Sequence, residues 1–189
     1  MQLNQKLYVA WTMRGEMGTL TSLEAAENSY NLDGGRLIAA FYLNELLMRL
    51  VHKHVPHPEL FDTYEKSLKQ LGQGANAETV LRMFEKQLLE SLGYGLILDH
   101  DVRSGKQIVA DQVYHYHLDY GPTLSPDPER ENIKISGATL QALEQNTLHD
   151  QMHLQEAKLL TRWILKSYLG ERPLASRNLF NAYIKNQSR

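Results

Sequence analysis

The sequence predicts a mainly α fold: a bundle of helices, interrupted by a small β-rich insertion and preceded by an isolated β segment. Three observations carry this reading. Apolar residues recur at helical spacing from residue 33 to about 93 and again beyond about 148. β-branched and aromatic residues flank a glycine turn between Lys6 and Leu23. Between them, residues 96–135 hold no helical period but do contain the alternating run QVYHYHL.

The elements follow in order. KLYVAWTM, a turn at Arg14-Gly15-Glu16, and MGTLTSL read as a hairpin. Two strands alone are not stable in water, so this segment is expected to be poorly ordered over residues 1–25 or to lie along the helices. Asp33 is placed to cap GRLIAAFYLNELLMRLVHKH, which is apolar on nearly every side and belongs at the centre of a bundle. Pro56 and Pro58 end it. PELFDTYEKSLKQLG forms the second helix, and Asn76 caps a third, AETVLRMFEKQLLESL, stopped at Gly93. An apolar strand then leads from Gly-Tyr-Gly to His100, and a second strand is expected over 112–118. Ser136 opens a short helix, a long one runs from about Leu148 to Leu169, and Ser176 caps the last, RNLFNAYIK.

Composition narrows the function. The 189 residues are 42% hydrophobic and contain no cysteine, which excludes disulfides and thiolate metal sites. No run approaches the roughly 18–20 apolar residues of a membrane span, and no signal peptide opens the chain, so a cytoplasmic protein is expected. The net charge of −2 conceals an asymmetry. Lys158, Arg162, Lys166, Arg172, Arg177, Lys185 and Arg189 face only Glu171 in the last 32 residues, a local +6, which leaves −8 on residues 1–157. A basic end of this kind suits a polyanion or an acidic peptide, or is simply a solvated face.

Catalytic motifs are weak. His149 and His153 stand at i, i+4 and on a helix would face one way, as zinc ligands can, but Asp150 follows the first where a zincin has Glu. A metal hydrolase through this pair is the alternative from the enzyme class. HKHVPH reads as a solvated helix end. His115 and His117 alternate with Tyr114 and Tyr116 as ordinary strand residues. Glu45, alone in an apolar helix, is either an acid with a raised pKa or, more commonly, the partner of an arginine or a backbone amide. No phosphate loop and no Ser-His-Asp order is recognisable. The clearest pattern is the stripe Lys158, Arg162 and Lys166, with Leu160, Trp163, Ile164 and Tyr168 on other faces. It suits a short acidic-and-aromatic peptide or a nucleic-acid backbone.

Several segments resemble the bacterial recombination mediator family RecO in order and spacing: YLNELLMRL with PELFDTYEKSLKQL, then LRMFEKQLLESLGYGLILDH, then TRWILKSYLGERPLASRNLF. The resemblance implies an N-terminal OB fold followed by a helical domain with a zinc-ribbon-like insertion. It implies a non-catalytic protein that binds single- and double-stranded DNA, anneals strands, engages the acidic, apolar tail of single-stranded-DNA-binding protein, and works with RecR in loading RecA. A cytoplasmic, nucleoid-associated location goes with it, and no nucleotide or redox cofactor.

On this reading residues 1–27 are the last strands of an incomplete OB fold and 28–189 the helical domain, with its insertion at about 96–135. The alternative is a truncated helical scaffold deficient in DNA binding. Many family members place cysteines where Asp101 and Ser104 stand, so the zinc site is expected to be lost here. For the tail, the resemblance points to Arg82 on one helix, whereas the matching position on the later helix is the uncharged Gln155. Lys158 and Arg162 are expected to supply the missing charge, with Leu81 and Leu159 as apolar floor. Lys166, Arg172 and Arg177 are left as DNA-backbone candidates.

Overall fold

The computed structural model describes residues 4–15 and 17–187. β1 (Gln5–Arg14) and β2 (Met17–Ser29) form an antiparallel hairpin in register from Leu7↔Ala25 to Arg14↔Met17, with a shift between Ala10 and Trp11. The turn falls where the glycine placed it, although its Glu16 lies outside the described residues. Alternation puts Val9, Trp11 and Met13 on one face with their partners Leu23 and Leu20, and all five are exposed. The described residues of this segment form a regular ribbon, with Lys6 at its base against Phe61 and Glu65 and its apolar face exposed.

Three helices follow. α1 (Gly34–Leu50) is the central one, as its all-round hydrophobicity requires: Ala40, Leu43 and Leu46 are fully buried, and other helices pack around it. Asp33 occupies the N-cap position but its side chain caps nothing. The helix also stops before His52, leaving His52, Lys53 and His54 exposed. α2 (Pro58–Gly72) has Pro at its start and anchors the hairpin base, because Glu65 accepts from Lys6 Nζ at 2.8 Å. In α3 (Ala77–Ser91) the Asn76 side chain accepts from Thr79 N, and Gly93 leaves the helix at φ +85, where only glycine is unstrained.

The insertion holds a three-stranded antiparallel sheet, β3 (Val113–His117), β4 (Gly121–Thr123) and β5 (Asn132–Ser136), in the order β4-β3-β5. The apolar strand expected before His100 is absent: Leu96 to Leu98 are irregular, held where Ile97 N donates to the Tyr116 hydroxyl. β3 carries Tyr114 and Tyr116 into the core, while His117 on the other face is also buried, its Nε2 3.0 Å from Thr123 Oγ1. The loop 101–105 is closed by the buried Asp101 carboxylate, which accepts from Arg103 N, Ser104 N and Leu124 N at 3.0, 2.7 and 2.7 Å.

α4 (Gly137–Glu144) is capped by Ser136 as expected. α5 (Gln151–Leu169) starts later than its periodicity suggested, because the Asp150 side chain takes Met152 N and His153 N. His149 therefore precedes the helix, and the two imidazoles do not share a helix face. α6 (Ala175–Gln187) begins one residue before Ser176, so Ser176 is not its cap. Glu45 of α1 fills that role, accepting from Ala175 N at 2.8 Å and from Ser176 N at 3.0 Å. Of the two readings of Glu45, the backbone-amide partner is the one observed, and burial is outweighed by these bonds so that its carboxyl sits below the usual range.

Candidate functional site

α1, α3, α5 and α6 converge on a pocket of about 190 Å³. Its apolar lining comes from Ile38 and Ala39 of α1, Leu81 of α3 and Phe180 of α6. Its charged lining comes from Arg82 and Glu78 of α3, Lys158 and Arg162 of α5, and Arg177 of α6.

Helical spacing explains the convergence. Glu78, Leu81, Arg82 and Glu85 follow one face of α3 at i, i+3, i+4 and i+7, and Lys158 and Arg162 are one turn apart on α5. Behind the pocket, Glu85 is fully buried and accepts from Arg82 Nη2 at 2.7 Å and from the Tyr42 hydroxyl at 2.6 Å. Thr161 donates to its second oxygen. Burial, with Glu85 next, pushes the Tyr42 hydroxyl well above its ordinary range, so it remains a donor.

The charge balance of the pocket is positive. Arg82, Arg162, Arg177 and Lys158 are opposed by two carboxylates, Glu85 behind and Glu78 at the mouth, where it pairs with Lys158 Nζ. The Nε atoms of Arg82, Arg162 and Arg177 are buried and make no hydrogen bond among the described residues. Burial first, and then the neighbouring Arg82 and Arg177, lowers the pKa of Arg162. Three guanidiniums beside an apolar wall attract an anion that brings an apolar group with it.

The structure brings Leu81, Arg82, Lys158 and Arg162 together as the sequence suggested. It also adds Arg177, which lines this pocket rather than standing apart with Lys166 and Arg172; those two are exposed, at the end of α5 and in the loop after it. Leu159 is 66% exposed and outside the pocket lining; Leu81 does line the floor as expected, and Ile38, Ala39 and Phe180 complete it in place of Leu159. Gln155 is likewise exposed and does not reach the pocket. Sequence reasoning missed Tyr42 and Ser176, although a tyrosine on an otherwise apolar central helix is a signal that its hydroxyl has a partner. Among the described residues no group of three or more His, Asp or Glu could hold a metal ion, and no helix is long and apolar enough to cross a membrane.

Residues 31–178 match the family described as Recombination protein O C terminal. A DNA repair protein RecO of Nitrosococcus oceani is 45% identical over 173 residues, covering 92% of this chain and 70% of the relative. That of Methylococcus capsulatus is 43% identical, covering 93% and 72%, and that of Coxiella burnetii 40%, covering 95% and 77%. The six helices and small antiparallel sheets among the described residues agree with a C-terminal domain of this kind. On the extent of these matches, the chain belongs to the RecO family.

Proposed function

We propose that this chain acts in DNA repair as a non-catalytic recombination mediator whose helical domain captures the acidic, apolar tail of single-stranded-DNA-binding protein. The observation that carries the reading is the pocket between α1, α3, α5 and α6, where four cations meet two carboxylates beside an apolar wall. A tail ending in a carboxylate and apolar side chains satisfies both halves. Strand annealing, contact with RecR, RecA loading and a cytoplasmic, nucleoid-associated location extend the same reading, with exposed Lys166 and Arg172 as DNA-backbone contacts. The hairpin fits the last strands of an OB fold, and the insertion a zinc-ribbon-like module. Both Asp101 oxygens are engaged by backbone amides, which supports a loop that works without metal.

The test is fluorescence anisotropy with a labelled tail peptide at low and moderate salt. Arg82 is unsuited to the test, because Arg82→Glu would set a second carboxylate against buried Glu85 and destabilise the site. Arg177→Gln removes a lining cation without that conflict. It should weaken binding by about 1.5–3 kcal/mol, the worth of one charge-assisted bond. Unchanged affinity would exclude this pocket as the tail site.

A further inference from the structure

A second cleft, of about 200 Å³, opens where the end of α3, the β3–β4 turn and the last turns of α5 meet. Four tyrosines line it: Tyr94, Tyr116, Tyr120 and Tyr168. The run Gly93-Tyr94-Gly95 builds one wall. Having left α3 at Gly93, the chain lays Tyr94 on Tyr168, with ring centroids 4.0 Å apart and planes 23° apart. The opposite wall is the β3–β4 turn, pinned at Gly121, where an added Cβ would stand 2.9 Å from the Val102 side chain. Asp119 sits in that turn at φ +57, and its carboxylate accepts from the Tyr168 hydroxyl at 2.8 Å.

The lining of this cleft carries negative charge and no cation. Tyrosine faces carry the negative end of the ring quadrupole, and Asp119 adds a full negative charge. Among the described residues no Lys, Arg or His forms an ion pair with Asp119. Burial, then the bond to Asp119 and its charge, pushes the Tyr168 hydroxyl up to about 12, so it stays a donor to that carboxylate. At the edge, the Arg130 guanidinium lies 4.6 Å over the Tyr120 ring, held from the other side by Asp127 at 3.4 Å. The surrounding insertion, residues 96–135, carries seven acids against four bases. Arg130 covers the Tyr120 face and opposes a second cation there, so the attraction rests on Asp119, Tyr94 and Tyr168; a planar guanidinium matches a ring face and a carboxylate together better than an ammonium does.

We propose that this cleft binds an arginine side chain of a basic partner peptide, with Asp119 as the counter-charge and the tyrosine faces as the walls. The assignment does not depend on the tail pocket. Arg162 and Ile164, which line the two sites, are two residues apart on α5 and so about 200° apart around it.

The test is a ¹⁹F NMR titration of the 3-fluorotyrosine-labelled chain with the N-acetylated, C-amidated peptide Gly-Arg-Gly-Arg-Gly. A second titration uses the same peptide with neutral citrulline for arginine. Blocked ends leave neither peptide a carboxylate for the cationic pocket. Saturable shifts of the Tyr94 and Tyr168 resonances are expected with arginine only, assigned through Tyr94→Phe and Tyr168→Phe. Affinity should fall about five-fold in Asp119→Asn, the scale of one exposed ion pair. Asparagine tolerates the left-handed backbone, and an unchanged melting midpoint would verify the fold. Tyr94→Leu, which removes a π face at an exposed position, should weaken binding similarly and gives a second route. Equal shifts with both peptides, no saturable shift, or full affinity in both Asp119→Asn and Tyr94→Leu would overturn the assignment.

Discussion

At Asp101 a single buried carboxylate gathers two amides of its own loop and a third from Leu124, just past β4. Burial alone would push this carboxyl up, but the bonds from Ser104, Leu124 and Arg103 outweigh it and hold the group below the usual carboxylate range. A depressed folded-state pKa contributes stability that is complete above the unfolded value of about 4 and fades as pH falls through the folded value. Asp101→Asn should therefore cost about 1.5–3 kcal/mol at neutral pH and lose part of the stability decline below about pH 4. Urea denaturation across pH 3–7 checks both; parallel pH curves for the two proteins would refute the account. Single residues were legible unevenly. Asn76, Ser136 and Gly93 act through their own neighbours, and the sequence shows them. Leu159 was misplaced because periodicity sorts α5 into faces without saying which face meets α1 and α6.

At the scale of elements, local punctuation sufficed for α2 and α3, whose ends are set by Pro58, Asn76 and Gly93. It failed for β4 and β5. These are short, include Pro122 and Lys134, and exist because β3 pairs with both. It failed again at α6, whose N-terminus is capped from α1, some 130 residues away in sequence. The Glu45 carboxylate also faces the positive end of that helix. Glu45→Ala should lower stability by about 1–2 kcal/mol, read as a drop in melting temperature. Because Arg177 sits in the same first turn, the tail peptide should bind more weakly in that variant as well. A destabilised protein with full tail affinity would show that the cap and the pocket are independent.

On the scale of the whole molecule, the asymmetry visible in the raw sequence becomes two sites of opposite sign on α5, a cationic pocket beside Arg162 and an anionic cleft beside Tyr168. Saturating the chain with the tail peptide should leave the affinity for the blocked arginine peptide within about two-fold, since the two sites open on nearly opposite faces of α5 and share no lining residue. Competition between the two ligands in the ¹⁹F titration would contradict separate sites. Where the sites lie was not legible, because α1 and α6 close the one and the insertion the other, and both arrive from distant sequence. The exposed row of Val9, Trp11, Met13, Leu23 and Leu20 on the hairpin adds a constraint of a different kind. Salt that screens the two charged sites also strengthens apolar adhesion, most of all with sulfate. Recognition through charge and adhesion through this apolar face thus respond to ionic strength in opposite directions.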